Sequence, residues 1–287
     1  RVLANASIPA TTALVMTNAG IICPDTGTTT TINAFIESAS RQIFCTGAGT
    51  ILIAGSRNLA IYSEWWGANP NDSAINNVPL RAAVAAITPG GGMIRFACGS
   101  YHFSGNIEIP SFISLRGTGM QCTKLINDGT TDLLTFTDST TANKELRFGG
   151  IFDMSIQGNS ASGHGVVVEN PYHFSADLVR ITDHGGIGIT FDSHVNGSTY
   201  GQNMFVTRSF ILQNLGGGVR LSGSGNLAVI DKSSINQNGF YGIYADRHKQ
   251  LVVRDVELAD YYYESAIAGH QAIPVVIIGG SAISILN

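Results

Sequence analysis

Glu169, Asp192 and Asp246 fall at equivalent places in a repeating pattern, and two carboxylates a few ångströms apart are what glycosidic hydrolysis requires. One protonates the departing oxygen while the other attacks the sugar or activates water, with separations of about 5–5.5 Å for retention and about 6.5–9.5 Å for inversion. Arg220 and Tyr244 occupy neighbouring positions of the same pattern, a cation and a ring suited to gripping an acidic or a stacked sugar. Just after Asp192 comes an insertion, His194-Val195-Asn196-Gly197-Ser198-Thr199-Tyr200-Gly201, which makes His194 a further candidate binding residue. Long loops on a repetitive scaffold tend to line its binding face. Arg208, Lys232, Asp255 and Glu257 form a second charged column of mixed sign. Such columns make structural ladders more readily than sites, although Arg208 is retained as a binding candidate. Against the catalytic reading stands a bland one, in which outward carboxylates only solubilise a surface.

These positions have meaning because residues 151–268 repeat themselves. Phe152-Asp153-Met154-Ser155-Ile156, Asp177-Leu178-Val179-Arg180-Ile181, Thr207-Arg208-Ser209-Phe210-Ile211, Asp231-Lys232-Ser233-Ser234-Ile235 and Arg254-Asp255-Val256-Glu257-Leu258 recur roughly every 25 residues. Each is followed by Asn159, His184, Asn214, Asn238 or Tyr261, and then by a small residue opening a second strand: Val166, Ile189, Val219, Ile243, Ile267. Short strands of period two without a helical stripe predict one coil of a single-stranded parallel β-helix per repeat. Asparagines at one register support stacking, because side-chain amides hydrogen-bond from coil to coil. Alternation points Met154/Ile156, Val179/Ile181, Ser209/Ile211, Ser233/Ile235 and Val256/Leu258 inward. It turns Val167, Thr190, Arg220, Tyr244 and Ala268 outward, and by parity Glu169, Asp192, Ser222, Asp246 and His270.

Composition agrees with a stack of tight coils. Charged residues make up 13%, well under the usual ~25%, and 34 glycines exceed the usual share. The 16 Lys and Arg residues are scattered within a net charge of −4, which argues against nucleic-acid or anionic-membrane partners. No apolar run reaches the ~18 residues of a membrane-spanning helix. Cys23, Cys45, Cys98 and Cys122 show no CxxC spacing and lie in strand-like stretches, so they read as buried free thiols; zinc is disfavoured and no cofactor is expected. Asp177 and Asp231 read as turn formers.

Residues 1–61 carry short apolar runs broken by Gly, Pro and Thr, which predicts strands of irregular first layers. From residue 62 onwards the chain reads as the β-helix proper. Its one convincing helix spans about 78–87, with Asn76 or Asn77 as cap and Leu80, Val84 and Ile87 as the apolar stripe; it would plug the open end of the stack. Here a family resemblance is carried by residues. Glu64-Trp65-Trp66-Gly67-Ala68, the Asn71-Asp72 loop, that helix, Gly91-Gly92-Met93-Ile94-Arg95-Phe96, Gly99-Ser100-Tyr101 and Leu115-Arg116-Gly117-Thr118-Gly119 with Thr123 together resemble the opening of the pectate-lyase-like superfamily, in its bacteriophage-tailspike version. Cys98 stands where that pattern usually has proline. The resemblance covers about residues 62–126 and implies a right-handed parallel β-helix with an N-terminal capping helix, often homotrimeric, acting on carbohydrate. It carries no catalytic residues. Gly163-His164-Gly165 matches polygalacturonase-type hydrolases, but the Asn-Thr-Asp and Asp-Asp that accompany it upstream and the Arg-x-Lys downstream are read as absent, which leaves a glycine-rich turn.

Two classes of function follow. One is a phage tailspike-like depolymerase that cuts a bacterial surface polysaccharide (capsule, exopolysaccharide or O-antigen), on the virion tail or otherwise extracellular. The other is a non-catalytic glycan-binding or structural β-helix; a polysaccharide lyase is a third possibility, with Arg or Lys as base. The Tyr261-Tyr262-Tyr263 run suits sugar stacking or a subunit contact. From Ile273 the chain is apolar and strand-like to Asn287, so the expectation is that further coils, a trimerising segment or other chains cover this end.

Overall fold

The computed structural model describes residues 4–17, 20–47, 49–54, 60–70, 72–141, 145–193, 201–259 and 273–286. Every strand pairing among them is parallel, and the main body is one continuous stack of coils. Three faces run along it. The first contains Ile113–Arg116, Met204–Thr207 and Leu227–Asp231; the second Thr123–Asn127, Phe210–Leu212 and Ser234–Asn236; the third Leu134–Phe136, Val166–Glu169, Ile187–Asp192 and Gly217–Ser222. The long strands Gly149–Gln157 and Phe174–Thr182 serve two faces each, because they bend in the middle.

That bend is one residue wide. Asp153, Leu178, Arg208, Lys232 and Asp255 stand at it on successive coils with φ of 54°, 53°, 50°, 50° and 52°. A left-handed residue turns the chain sharply at a cost of roughly 1–2 kcal/mol, and the rung hydrogen bonds resume on either side. The corner residues thus keep outward side chains, as alternation implies, but they stand between two faces and not within one. They separate two strands where sequence pattern sees one, which is why the first face was not legible as a strand of its own.

Inside, the expected columns hold: Met154, Ile156, Val179, Ile181, Ile211 and Ile235 are buried, as are Val166, Ile189, Val219 and Ile243. The inward polar positions are satisfied along the stack. Ser209 Oγ accepts from Val179 N (3.2 Å) and donates to Thr207 O, while Ser233 Oγ accepts from Ser209 N (3.1 Å). The asparagine ladder is present too: Asn238 Oδ1 accepts from Asn214 N (3.1 Å) and from Asn214 Nδ2 (3.0 Å), and Asn214 Oδ1 from His184 N (3.2 Å). Thr190 departs from expectation. It sits at an outward register position, yet only 5% of it is exposed and its Oγ1 has no hydrogen-bond partner. Ile267, with Tyr261, Tyr262, Tyr263, Ala268 and His270, lies outside the described residues; the rung neighbour of Ile243 is Val275, in strand Ile273–Leu286.

The helix Asn77–Ile87 buries Leu80, Ala83, Val84, Ala86 and Ile87. It packs on Ile107–Ile109 of the third face and, on its other side, on the N-terminal strand Thr50–Ile53, so it plugs the stack from within instead of ending it. Neither asparagine caps it with its side chain. Asn76 Oδ1 accepts from Asn69 N (2.7 Å), and Asn77 Oδ1 accepts from Ser104 N (2.9 Å), tying the helix start to adjoining loops. The Glu64-Trp65-Trp66 turn is structural. Trp66 packs on Phe44 at 4.9 Å, and buried Glu64 accepts from Ala97 N (2.8 Å) and from the Tyr101 hydroxyl. Burial and that neighbouring carboxylate push the Tyr101 phenol above its ordinary range.

The cysteines overturn the free-thiol expectation: Cys23 is bonded to Cys45 and Cys98 to Cys122. The partners are 22 and 24 residues apart, one coil in each case, and their flanking residues are rung neighbours (Ile22 with Phe44, Gly99 with Thr123). Coil stacking brings together side chains that no local spacing rule pairs. Thiol titration of the native chain should find no reactive cysteine before reduction and all 4 after unfolding in reductant; free thiols in the unreduced, denatured protein would contradict the pairing. The face assignment has its own check in two adjacent residues. Ile211→Asp, inward, should cost several kcal/mol, whereas Phe210→Asp, outward and 43% exposed, should stay within about 0.5 kcal/mol. Equal melting temperatures for the two variants would refute the register.

Candidate functional site

The third face carries two groups of side chains. At the strand ends, Glu169 and Asp192 are direct rung partners, and Asp192 in turn partners Ser222. Adjacent rungs lie about 4.8 Å apart, so the two residues stand one rung apart on the same column. Thr137 Oγ1 donates to Glu169 Oε2 at 2.6 Å, orienting that carboxylate from the coil before. Asp246 stands on the same column beyond Ser222, but the guanidinium of Arg247 engages both of its oxygens (3.2 and 3.1 Å). It therefore reads as an ion-pair partner, apart from the Glu169–Asp192 pair.

Two residues before that rung, Arg220 and Tyr244 are rung partners, as expected, and Tyr241, at the start of its strand, joins them: its ring lies 5.3 Å from that of Tyr244. A methyl group at Gly217 would meet the Tyr241 ring at 2.6 Å, so only glycine admits the ring there. Arg220 forms no ion pair or hydrogen bond among the described residues. Its charge is felt at His164 and at Tyr241, whose phenol burial nonetheless pushes up. His164 Nδ1 accepts from Ile187 N (2.8 Å), which leaves Nε2 to carry the proton of the neutral ring. Burial, opposed by nearby Asp132 and reinforced by Arg220, holds the His164 imidazole below its usual range. His164 and Tyr241 were missed as site residues. The first sits in what reads as a glycine-rich turn, and the second is the first residue of strand Tyr241–Arg254, one residue before the small residue from which the sequence pattern opens that strand. Arg247-His248-Lys249 does have the Arg-x-Lys spacing that accompanies Gly-His-Gly in polygalacturonase-type enzymes, a match the sequence pattern did not credit; here Arg247 is committed to Asp246 and His248 is buried.

Arg208 is not part of this face. It stands at the corner between the first two faces, where Nε donates to Asp177 Oδ1 (2.9 Å) and Nη2 to Asp177 Oδ2. Arg254 grips Asp231 in the same way (2.9 and 2.9 Å), and Arg116 reaches Asp153 at 2.8 Å. The arginine beside each holds the Asp177 and Asp231 carboxyls below the ordinary carboxylate range, although partial burial of Asp177 opposes this. The charged column is thus a corner ladder, and Asp177 and Asp231 are its acceptors and not turn formers. His194 lies outside the described residues. No group of three or more His, Cys, Asp or Glu side chains is arranged to hold a metal among the described residues, and no described helix is long and apolar enough to cross a membrane.

Coils of three parallel faces around an apolar core define a right-handed parallel β-helix of the pectin lyase-like fold. One solved structure bears this out, and two weaker matches stand beside it. ORF18 of Geobacillus virus E2 superposes with a TM-score of 0.68 at 17% identity over 80% of this chain and 48% of its own. The Agl-KA catalytic domain matches with a TM-score of 0.44 at 17% identity, covering 82% and 49% of the two chains. Tailspike protein 2 of the Escherichia coli O157:H7 bacteriophage CAB120 matches at 0.42 and 12% identity, covering 79% and 42%. This chain thus spans about half the length of each. No family model and no curated protein matches it.

Two histidines are buried in the stack. His184 and His248 are 0% and 1% exposed, and burial lowers each imidazole from 6.5 to about 4. In the unfolded chain both protonate near 6.5, so between that value and about 4 the unfolded state binds more protons and stability falls as the pH drops. Above pH 7 the two contribute no pH dependence. His184 continues the Asn214–Asn238 ladder, and His184→Asn should keep the fold while removing one of the two proton traps. Melting temperatures measured from pH 7.5 to 4 should fall less steeply in the variant; parallel curves would show that His184 is not a source of the acid sensitivity.

Proposed function

We propose that this protein is a tailspike-like polysaccharide depolymerase that hydrolyses a glycosidic bond laid across the third face. The single observation carrying this reading is the register pairing of Glu169 with Asp192, two outward carboxylates one rung apart on a rigid strand column. Such spacing suits a retaining mechanism, with one carboxylate as nucleophile and the other as acid and then base. Glu169, held by Thr137, is the oriented member of the pair. Tyr241 and Tyr244 offer ring faces on which sugar units stack beside the reacting bond. The substrate class is a bacterial surface polysaccharide, and the working form is a homotrimer on a virion tail; the resemblance of residues 62–126 to tailspike openings and the shared fold with a virus protein support this reading.

Screening bacterial polysaccharides for release of reducing ends tests it. Glu169→Gln and Asp192→Asn should each lower turnover by about 10²- to 10⁴-fold while leaving binding intact, and Asp246→Asn should lower it little. Proton NMR of the first product should show retained anomeric configuration. Binding without cleavage by the wild-type protein would make it a glycan-binding β-helix, and unsaturated, ultraviolet-absorbing products would make it a lyase.

A further inference from the structure

Among the arginines described on the outward surface of the coils, Arg116, Arg208, Arg247 and Arg254 are each neutralised by an aspartate, whereas Arg95, Arg180 and Arg220 have no carboxylate partner there. Arg220 lacks one although Asp192 stands on the adjacent rung two residues further along the strand. Its charge acts instead on His164 and Tyr241, which stand toward the start of the strands, while Arg220 itself lies between them and the carboxylate rung. Apart from Asp132, the groups gathered there can each donate a hydrogen bond. His164 presents Nε2–H, because its Nδ1 is occupied by the Ile187 amide. Tyr241 and Tyr244 bring two phenols, packed ring to ring over Gly217. Thr190, rung neighbour of Arg220, keeps a buried hydroxyl with no partner. The facing carboxylate is Asp132, and its Oδ1 is already committed to the backbone amide of His164 at 2.6 Å. Donors with one uncompensated charge and a shortage of acceptors form a site for an anion.

We infer that this part of the third face is an anionic subsite, and that the polysaccharide taken by the protein is acidic, with a sugar carboxylate bound by Arg220 and His164 while the neighbouring glycosidic bond lies over Glu169 and Asp192. This deepens the proposed function and rests on the third face being the glycan-binding one. The spacing is consistent with it: Arg220 and Ser222 are two residues apart on one strand, about 6.6 Å, so the Arg220 and carboxylate positions are near enough for one chain of sugars to span both. An acidic unit placed directly over Glu169 and Asp192 would be repelled; placed at Arg220 it is held, which fixes the register of the glycan.

The experiment is retention of the wild-type protein on an array of acidic and neutral bacterial polysaccharides, each acidic polymer being paired with its carboxyl-reduced form. At least one acidic polymer should be retained, and reduction of its carboxyls to alcohols should abolish retention. Arg220→Gln should weaken binding to that polymer by about 10-fold or more, Arg220→Lys should recover part of the loss, and added salt should mimic it. Circular dichroism and melting of the variants control for folding. Retention of neutral polymers only, no retention at all, or equal binding by Arg220→Gln would each overturn the subsite. Cleavage of the retained polymer by Glu169→Gln is scored separately: loss of cleavage with undiminished retention supports both readings. A wild type that retains the polymer without cutting it defeats the hydrolase and leaves the anionic subsite standing.

Discussion

Parallel coils can stack only if every backbone donor and acceptor finds its partner on the coil before or after, about 4.8 Å away. That requirement explains the left-handed corner residues. A wider turn would take several residues out of the ladder and leave their amides over an apolar core, whereas one residue near φ 50° redirects the chain and gives up almost no rungs. The cost is met by types as different as Asp153, Leu178, Arg208 and Lys232, which shows that the stack imposes the conformation and the side chain merely accepts it.

The same ladder decides what can live inside. Serine and asparagine occur in the interior because stacking places each beside the backbone of the neighbouring coil: Ser209 and Ser233 take amides at the corner, and Asn214 and Asn238 do so at the next turn. A polar group that would cost several kcal/mol in an unpatterned core becomes neutral or favourable when its partner recurs at a fixed distance. His184 and His248 are exceptions, as are the hydroxyls of Thr182, Thr190 and Ser193. Each histidine has ring nitrogen without a partner, and each stays neutral because burial disfavours the imidazolium.

On the outside, the faces have divided the charges. Arginine and aspartate pair off along the corner, where exposed side chains of opposite sign meet from coil to coil and gain little beyond solubility and register. On the third face Arg220 stands two residues before the carboxylate rung, with Tyr244 as its rung partner and the Tyr241 ring beside that of Tyr244.

Sequence alone determined the architecture, because a period of coils with two-residue alternation leaves few other ways to bury Ile156, Ile181, Ile211 and Ile235. It also placed Glu169 beside Asp192 and Arg220 beside Tyr244, since register along a repeat is a counting problem. It could not reveal the first face as a separate strand, because a corner made by a single residue of any type leaves no turn signature. Nor could it pair Cys98 with Cys122, tie Arg208 to Asp177, bury Thr190 or bring His164 and Tyr241 into the neighbourhood of Arg220. Those outcomes depend on where side chains lean once the coils are stacked, and leaning is set by neighbours a coil away, which only the tertiary structure supplies.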